Sequence, residues 1–361
     1  MQIPARKQFV ASEPVSIPVL GLGGIPLRDL TPQESRPIIE KAYAAGIRFV
    51  DSARAYTGSE QAVREVLLDN GVTDMLLSGK SMDRTSIGIL GDVTETRKTF
   101  GVNQLDFFWI HHVMFQHELD QVTGKQGALE GLQKLKRMGS IRFIGLSGHC
   151  PDVLMTALEL NAFDCIQCPL NILDYSLFAP VVEYARLQNI PVFGIKPLRG
   201  GQLGNSSNTA IRFACQMRGV TCSLIGPRNV EELGECIRAA ISEAPVTDMD
   251  LHAVRSDQAL QNSLPSCQFC GYCETRCPIH LPIRQFIEAY YLTELYRSGH
   301  RAKHWYDANK VTLGRCTGCR SCESICPQHI SISKLMTEAQ IALEQPVSSK
   351  EIRYHVQTST E

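Results

Sequence analysis

Residues Leu105 to Gly148 read LDFFWIHHVMFQHELDQVTGKQGALEGLQKLKRMGSIRFIGLSG: two apolar runs joined by a longer segment ending in the amphipathic GALEGLQKLKRMG. The flanking runs are short and rich in β-branched and aromatic residues, as buried strands are, and the joining segment closes on Gly139, a residue that tolerates the left-handed backbone ending a helix. The same unit recurs on both sides, from about Ser16 to Ala244. Eight strand candidates follow: IPVLGLG from Ile17, IRFVD from Ile47, DMLLSGK from Asp74, LDFFWIHH from Leu105, IRFIGLSG from Ile141, FDCIQC from Phe163, IPVFGIK from Ile190 and VTCSLIG from Val220. Among the helical stretches, TPQESRPIIEKAYAAG opens on Thr31 as an N-cap and closes on Gly46. Eight alternations in about 230 residues suit an α/β fold, a closed (β/α)8 TIM barrel of parallel strands. An open doubly wound sheet is the rival, but the tight GxGxxG after the first strand that would support it is missing.

At 361 residues the chain exceeds one typical domain. A formal net charge of -1 argues against a nucleic-acid partner, which normally meets a basic surface. The start, MQIPARKQFVASEPVSIPVL, has no signal-like apolar run, and no later segment offers about 18 uninterrupted apolar residues. The expectation is a cytoplasmic protein with no membrane partner. Six of the fourteen cysteines (Cys150, Cys165, Cys168, Cys215, Cys222 and Cys236) are scattered through the strand and helix pattern, as reduced thiols of the cytosol are.

The other eight form one pattern written twice. CQFCGYCETRCP carries Cys267, Cys270, Cys273 and Cys277, and CTGCRSCESICP carries Cys316, Cys319, Cys322 and Cys326. Three thiols at intervals of three let a tight loop reach three corners of a [4Fe-4S] cubane, and the fourth, followed by proline, reaches away toward the other cluster. Structural zinc is the rival reading, but it takes separated CxxC pairs without a crowded third thiol. The 38 residues between the motifs include LPIRQFIEAYYLTELYRSGHRAKHWYDA, whose apolar spacing predicts one or two helices, so the module reads as a small, mostly helical dicluster ferredoxin domain. The expected organisation is a barrel over residues 1–244, a polar linker or packed connection over 245–265, the dicluster domain over 266–345 and a disordered tail over 346–361.

Four residues stand at or just beyond C-terminal strand ends, where barrel enzymes assemble their sites: Asp51, Tyr56, Lys80 and His111. Together they suit hydride transfer. Tyr56 can protonate a carbonyl oxygen if Lys80 lowers its pKa, Asp51 would fix Lys80, and His111 would orient the substrate oxygen. Singly, each has a blander role: helix cap, turn residue, solvated cation, core histidine. Strand alternation places Phe107, Trp109 and His111 on one face, which sends His112 toward the surrounding helices; Cys165 shares the face of Gln167, and Cys168 takes the other.

From Ile17 to Ile241 the barrel resembles the aldo-keto reductase family. The likeness rests on Asp51, Tyr56, Lys80 and His111 in that order, on GLGG at Gly21 to Gly24, SGH at Ser147 to His149, Gln167 with Asn171, PLRGG at Pro197 to Gly201, and GPRNVEELGEC from Gly226. With the cysteine repeats, the chain resembles the subgroup fused to a C-terminal 4Fe-4S dicluster domain. The resemblance implies that Ser147 and Gln167 hold a nicotinamide carboxamide, that the loop through Leu198, Gly200 and Gly201 lines the pyrophosphate, and that Arg228 grips the 2′-phosphate of NADP, with NAD also possible. Two positions depart from the pattern: Ile195 stands for the aromatic that stacks on the nicotinamide, and Cys236 for an asparagine near the adenine. His149 lies in the loop after the fifth expected strand, open to a substrate role.

Nicotinamides deliver electrons in pairs and clusters take them singly, a step a flavin normally mediates, and no flavin signature is present. The clusters are then left to feed electrons to the barrel, to pass them to an outside carrier, or chiefly to staple the domain and sense redox state. The expected function is an NAD(P)-dependent oxidoreductase of a carbonyl or alcohol substrate whose two clusters couple to one-electron transfer. The alternative is an electron-transfer or redox-sensing protein whose barrel binds nucleotide with little turnover. Arg297, Arg301, Lys303, Lys310, Arg315 and Arg320 face only Asp307 in their segment. That basic collar would suit an acidic ferredoxin or flavodoxin, or be a solvated helix face.

Overall fold

Alternation along eight short parallel strands decides which side chains fill the interior of this fold and which meet the outer helices. The computed structural model describes residues 2–10, 13–56, 58–113, 115–256, 267, 272–294, 303, 306–307, 314–326 and 330–345. A hairpin comes first, β1 (Ala5–Val10) with β2 (Glu13–Pro18). The barrel strands are β3 (Leu20–Gly23), β4 (Phe49–Asp51), β5 (Leu76–Ser81), β6 (Leu105–Ile110), β7 (Ile141–Ser147), β8 (Cys165–Pro169), β9 (Val192–Ile195) and β10 (Val220–Ile225). They close in the order β10-β3-β4-β5-β6-β7-β8-β9, the expected TIM barrel.

Each expected strand is present, with two differences. The run IPVLGLG is two strands: Ile17 and Pro18 finish the hairpin, and β3 starts at Leu20. Both halves are buried, so the sequence is apolar throughout, and Pro18, with no N–H, marks the end of one ladder. The second difference is that β6 stops at Ile110, two residues short of the expected His112.

On β6, Phe107 and Trp109 point inward while Phe108 and Ile110 join the outer core. Phe49, Phe143 and Phe193 gather around Phe107, with ring centroids 5.0–5.4 Å apart. Each ring removed from water contributes roughly 1.5–3 kcal/mol. Val10, Val15 and Ile17 of the hairpin belong to the same cluster and seal the N-terminal end of the barrel. Trp109 fits because its partner in β7 is Gly145: a Cβ there would stand 2.0 Å from the indole Cε3.

Thr31 caps the helix Pro32–Ala44 in a reciprocal box with Glu34, and Gly46 and Gly139 take the left-handed backbone expected of helix stops. The polar stretch from Pro245 holds a helix, Asp248–Arg255, capped by Thr247 and packed through Val254 against Ile172, Leu203 and Ala210. The chain divides into two compact units. In the smaller, the helices Ile283–Glu294 and Ile332–Glu344 bury Phe286, Ile287 and Tyr290 with Leu335, Met336 and Ala339. No helix among the described residues is long and apolar enough to cross a membrane. The expected tail, 346–361, lies outside the described residues.

Candidate active site

Asp51, the last residue of β4, lies beside β5, and its carboxylate is almost wholly buried. Lys80 Nζ donates to its Oδ2 in a buried ion pair, and Ser78 Oγ donates to its Oδ1 at 3.0 Å. The direction of the second bond is fixed from below. Trp109 Nε1 is only a donor and reaches Ser78 Oγ at 2.6 Å, so the serine proton turns to Asp51. Burial pulls the Lys80 ammonium below the ordinary lysine range, while the charge and hydrogen bond of Asp51 pull the other way. Strand alternation had already placed Trp109 on the inward face, but neither it nor Ser78 was expected to orient the site; Ser78 lies two residues before Lys80 on β5, and a period of two puts it in the interior as well.

Tyr56 stands in the loop after β4, 8% exposed, with Lys80 Nζ 5.3 Å from its ring centroid. The loop is pinned on both sides: Arg54 N donates to Lys80 O at 3.0 Å, and Arg54 Nη1 pairs with the buried Glu60 at 2.7 Å. Burial is the leading cause that pushes the Glu60 carboxyl above its usual range. His111 meets the Tyr56 ring edge-on, centroids 5.9 Å apart, and its N–H donates to Ser81 O at 2.7 Å. The four expected residues are thus gathered at one end of the barrel.

His112 departs from expectation. Beyond the end of β6 its backbone turns left-handed, at φ 60°, so strand alternation no longer sets its direction. Its N–H donates to Ser147 Oγ at 2.9 Å, Arg84 holds the carbonyls of His111 and His112, and its ring lies 6.3 Å from His111 and 5.0 Å from His149. His149 Nδ1 is buried without a hydrogen-bond partner among the described residues. Burial first, then the charges of Lys196, His112 and His111, hold the His149 ring well below the ordinary histidine range.

The residues expected to hold a nucleotide lie on neighbouring elements. Ser147 and Gln167 are register partners on β7 and β8, both 1% exposed, and Gln167 Nε2 is a buried donor with no partner among the described residues. A carboxamide oxygen would satisfy it. Leu198, Gly200 and Gly201 follow β9, in a turn where Arg199, Gly200 and Gly201 all have positive φ; nothing lies within 4 Å of a Cβ built on Gly201, which leaves room at the backbone. Arg228 is exposed just before the helix Val230–Ala240 and makes no ion pair among the described residues. Asn171, by contrast, is turned to its own loop, bonding Leu173, Asp174 and Lys196. Cys236 is a core residue whose thiol burial pushes up to about 12. Cys165 faces inward and Cys168 outward, as expected.

The two cysteine motifs repeat at a constant offset of 49 residues, and so do their supports. Cys267 N donates to Tyr291 Oη at 3.2 Å and Cys316 N to Gln340 Oε1 at 3.3 Å; Glu274 accepts from Arg284 N and Glu323 from Ser333 N, each at 2.9 Å. Cys277 lines one cavity with Cys316, Cys319 and Cys322. Three thiols of the second motif therefore share a space with the fourth of the first, the donor set expected of one cubane in a dicluster pair. Cys273 is buried and Cys326 partly so, and Cys270 lies outside the described residues. Of the basic collar, Arg297, Arg301 and Lys310 also lie outside them; Lys303 pairs with Asp307, Arg315 with Glu344, and Arg320 lines the cavity.

Comparison with known proteins follows the same division. The family model for the aldo/keto reductase family matches residues 19–209, and the model for the 4Fe-4S dicluster domain matches residues 263–330. An aldo-keto reductase of Strobilurus tenacellus is 25% identical over 230 residues, 56% of this chain and 63% of that one. An aldo-keto reductase of Mycobacterium sp. (strain KMS) is 31% identical over 151 residues, 40% of this chain and 50% of the other. The chain thus spans between half and two thirds of the length of these relatives. The solved holo structure of an aldo-keto reductase from Bacillus halodurans shares the fold, with a TM-score of 0.60 at 18% identity over 70% of this chain and 96% of that one.

Proposed function

The chain belongs to the aldo/keto reductase family and ends in a 4Fe-4S dicluster domain, and on that premise we propose an NADP-linked oxidoreductase that interconverts a small-molecule carbonyl and its alcohol. The observation that carries the reading is the buried Asp51–Lys80 pair, oriented by Ser78 and set beneath Tyr56. When bound, NADPH brings the hydride that the side chains cannot. Tyr56 gives its phenolic proton to the carbonyl oxygen, and the charge of Lys80 favours the phenolate left behind. Asp51, held by two donors, keeps Lys80 in place. His111, edge-on to Tyr56, steers the same substrate oxygen by a hydrogen bond.

Ser147 and Gln167 would hold the carboxamide, with the unpartnered Gln167 Nε2 as the supporting observation. The turn through Leu198, Gly200 and Gly201 would receive the pyrophosphate. An exposed Arg228 without an ion pair among the described residues favours NADP, because a guanidinium meets phosphate oxygens in pairs. In the dicluster domain, Cys277, Cys316, Cys319 and Cys322 would hold one of two cubanes. Cubanes held there would supply one-electron chemistry. The coupling of the barrel's reaction to one-electron carriers balances where two reduced carriers stand in for NADPH as donor of the electron pair, or two oxidised carriers stand in for the carbonyl as its acceptor.

Tyr56→Phe tests the reading. In anaerobically purified, cluster-loaded protein, substrate-dependent NADPH oxidation should fall about 10²- to 10⁴-fold with the NADPH dissociation constant unchanged. Turnover that survives at the wild-type rate overturns it.

A further inference from the structure

We propose that His149, with His112 and Lys196, forms an anion-binding subsite at the barrel mouth that takes a carboxylate carried by the carbonyl substrate. The inference rests on the reading of that mouth as the carbonyl site. Rings run in a continuous series from the proposed proton donor: Tyr56 to His111 at 5.9 Å, His111 to His112 at 6.3 Å, and His112 to His149 at 5.0 Å. The buried His149 Nδ1 at the end of the series has no hydrogen-bond partner among the described residues, a cost that a bound acceptor would remove.

The charges around it have one sign. Lys196, His112 and His111 are the charged groups that act on His149, and all three disfavour a further positive charge there. Nearby carboxylates are committed elsewhere: Asp51 to Lys80 and Ser78, Glu118 to Arg84, Asp174 to Arg199. Asp152, on the first turn of the helix Pro151–Glu159, is exposed. That helix begins at Pro151 with Cys150, next to His149, as its N-cap, and no side chain caps it, so the positive end of its dipole adds to the field. A carboxylate placed here would lift the suppression on His149, which then donates as a cation.

The experiment uses full-length, cluster-loaded protein and two aldehydes of equal chain length, succinic semialdehyde and butanal. Wild type should favour the charged aldehyde in kcat/KM. His149→Leu and, separately, Lys196→Met should lower kcat/KM for succinic semialdehyde by about 10- to 100-fold, the worth of a charge-assisted hydrogen bond, and leave butanal within about twofold. An equal fall for both aldehydes overturns the proposal. So does a rise confined to the NADPH dissociation constant, which would assign the charges to the nucleotide diphosphate. Calorimetry with malonate on NADPH-saturated wild type stands apart from turnover: binding that tightens as pH falls supports the subsite even if neither aldehyde is reduced, and absence of binding overturns it.

Discussion

Exchanging the buried ion pair one partner at a time should cost more than exchanging both. In Asp51→Asn the new amide can still accept from Ser78 through its oxygen, but its NH2 then faces the Lys80 ammonium, a donor against a donor. Lys80 is 1% exposed at its side chain, so the stranded charge has no route to water. Breaking such a pair costs about 3–5 kcal/mol, roughly 10 °C in melting temperature for a domain of this size. Lys80→Met strands the Asp51 carboxylate with Ser78 alone and should cost as much. The double variant Asp51→Asn/Lys80→Met removes both charges and should recover at least about 2 kcal/mol relative to the sum of the singles. All three should be inactive, which separates the chemistry of the pair from its place in the core. Urea unfolding of the cluster-loaded proteins, followed by near-UV circular dichroism, measures the cycle. Additive single and double effects would refute the buried coupling on which the reading of Lys80 depends.

Gly145→Ala should force Trp109 off Ser78, since the added carbon meets the indole at 2.0 Å; about 1–3 kcal/mol of stability should be lost, and in a Trp305→Phe background the emission of Trp109 should change, an unaltered spectrum refuting the packing. Cys277→Ala should remove the same EPR component as Cys319→Ala, because those thiols line one cavity; a spectrum matching Cys273→Ala instead would reverse the assignment. The His149 ring titrates below its unfolded value, so its contribution to stability is whole above about pH 6.5 and shrinks as pH falls toward the lower folded value, by up to about 1.4 kcal/mol per pH unit. His149→Gln should flatten the stability profile below pH 6.5, and an unchanged slope would count against a ring held neutral by burial.

The barrel was legible because buried parallel strands are written as separate apolar runs, and because the four expected site residues sit at or just beyond strand ends. Period two correctly placed Phe107, Trp109, Cys165 and Cys168. The same rule failed at His112, since it holds only while the backbone stays extended, and nothing in WIHHV announces a left-handed residue. The hairpin was missed because Ile17 and Leu20 belong to different strands of one unbroken apolar run, so the break at Val19 carries no change of polarity. The helix Asp248–Arg255 has a capping signal in Thr247 and Asp250 but buries little beyond Val254, which leaves its apolar pattern weak. Ser78 carries no signal of its own in the sequence, and only its two hydrogen bonds reveal its role.

The hairpin seal and the aromatic layer above it bear on how the machine resets between turnovers. Below Asp51 lie carbon surfaces from Phe49, Phe107, Phe143 and Phe193, and the Cys165 thiol among them is held strongly protonated by burial. With Tyr56 as the proposed proton donor, the hydrogen bonds that rise from that floor run from Trp109 through Ser78 to Asp51, and they start at an indole that keeps its proton. On that proposed reading the replacement proton of Tyr56 arrives from the opening through which product departs, recharging waits on clearance, and solvent isotope effects should report on the exit step as well as on the chemistry.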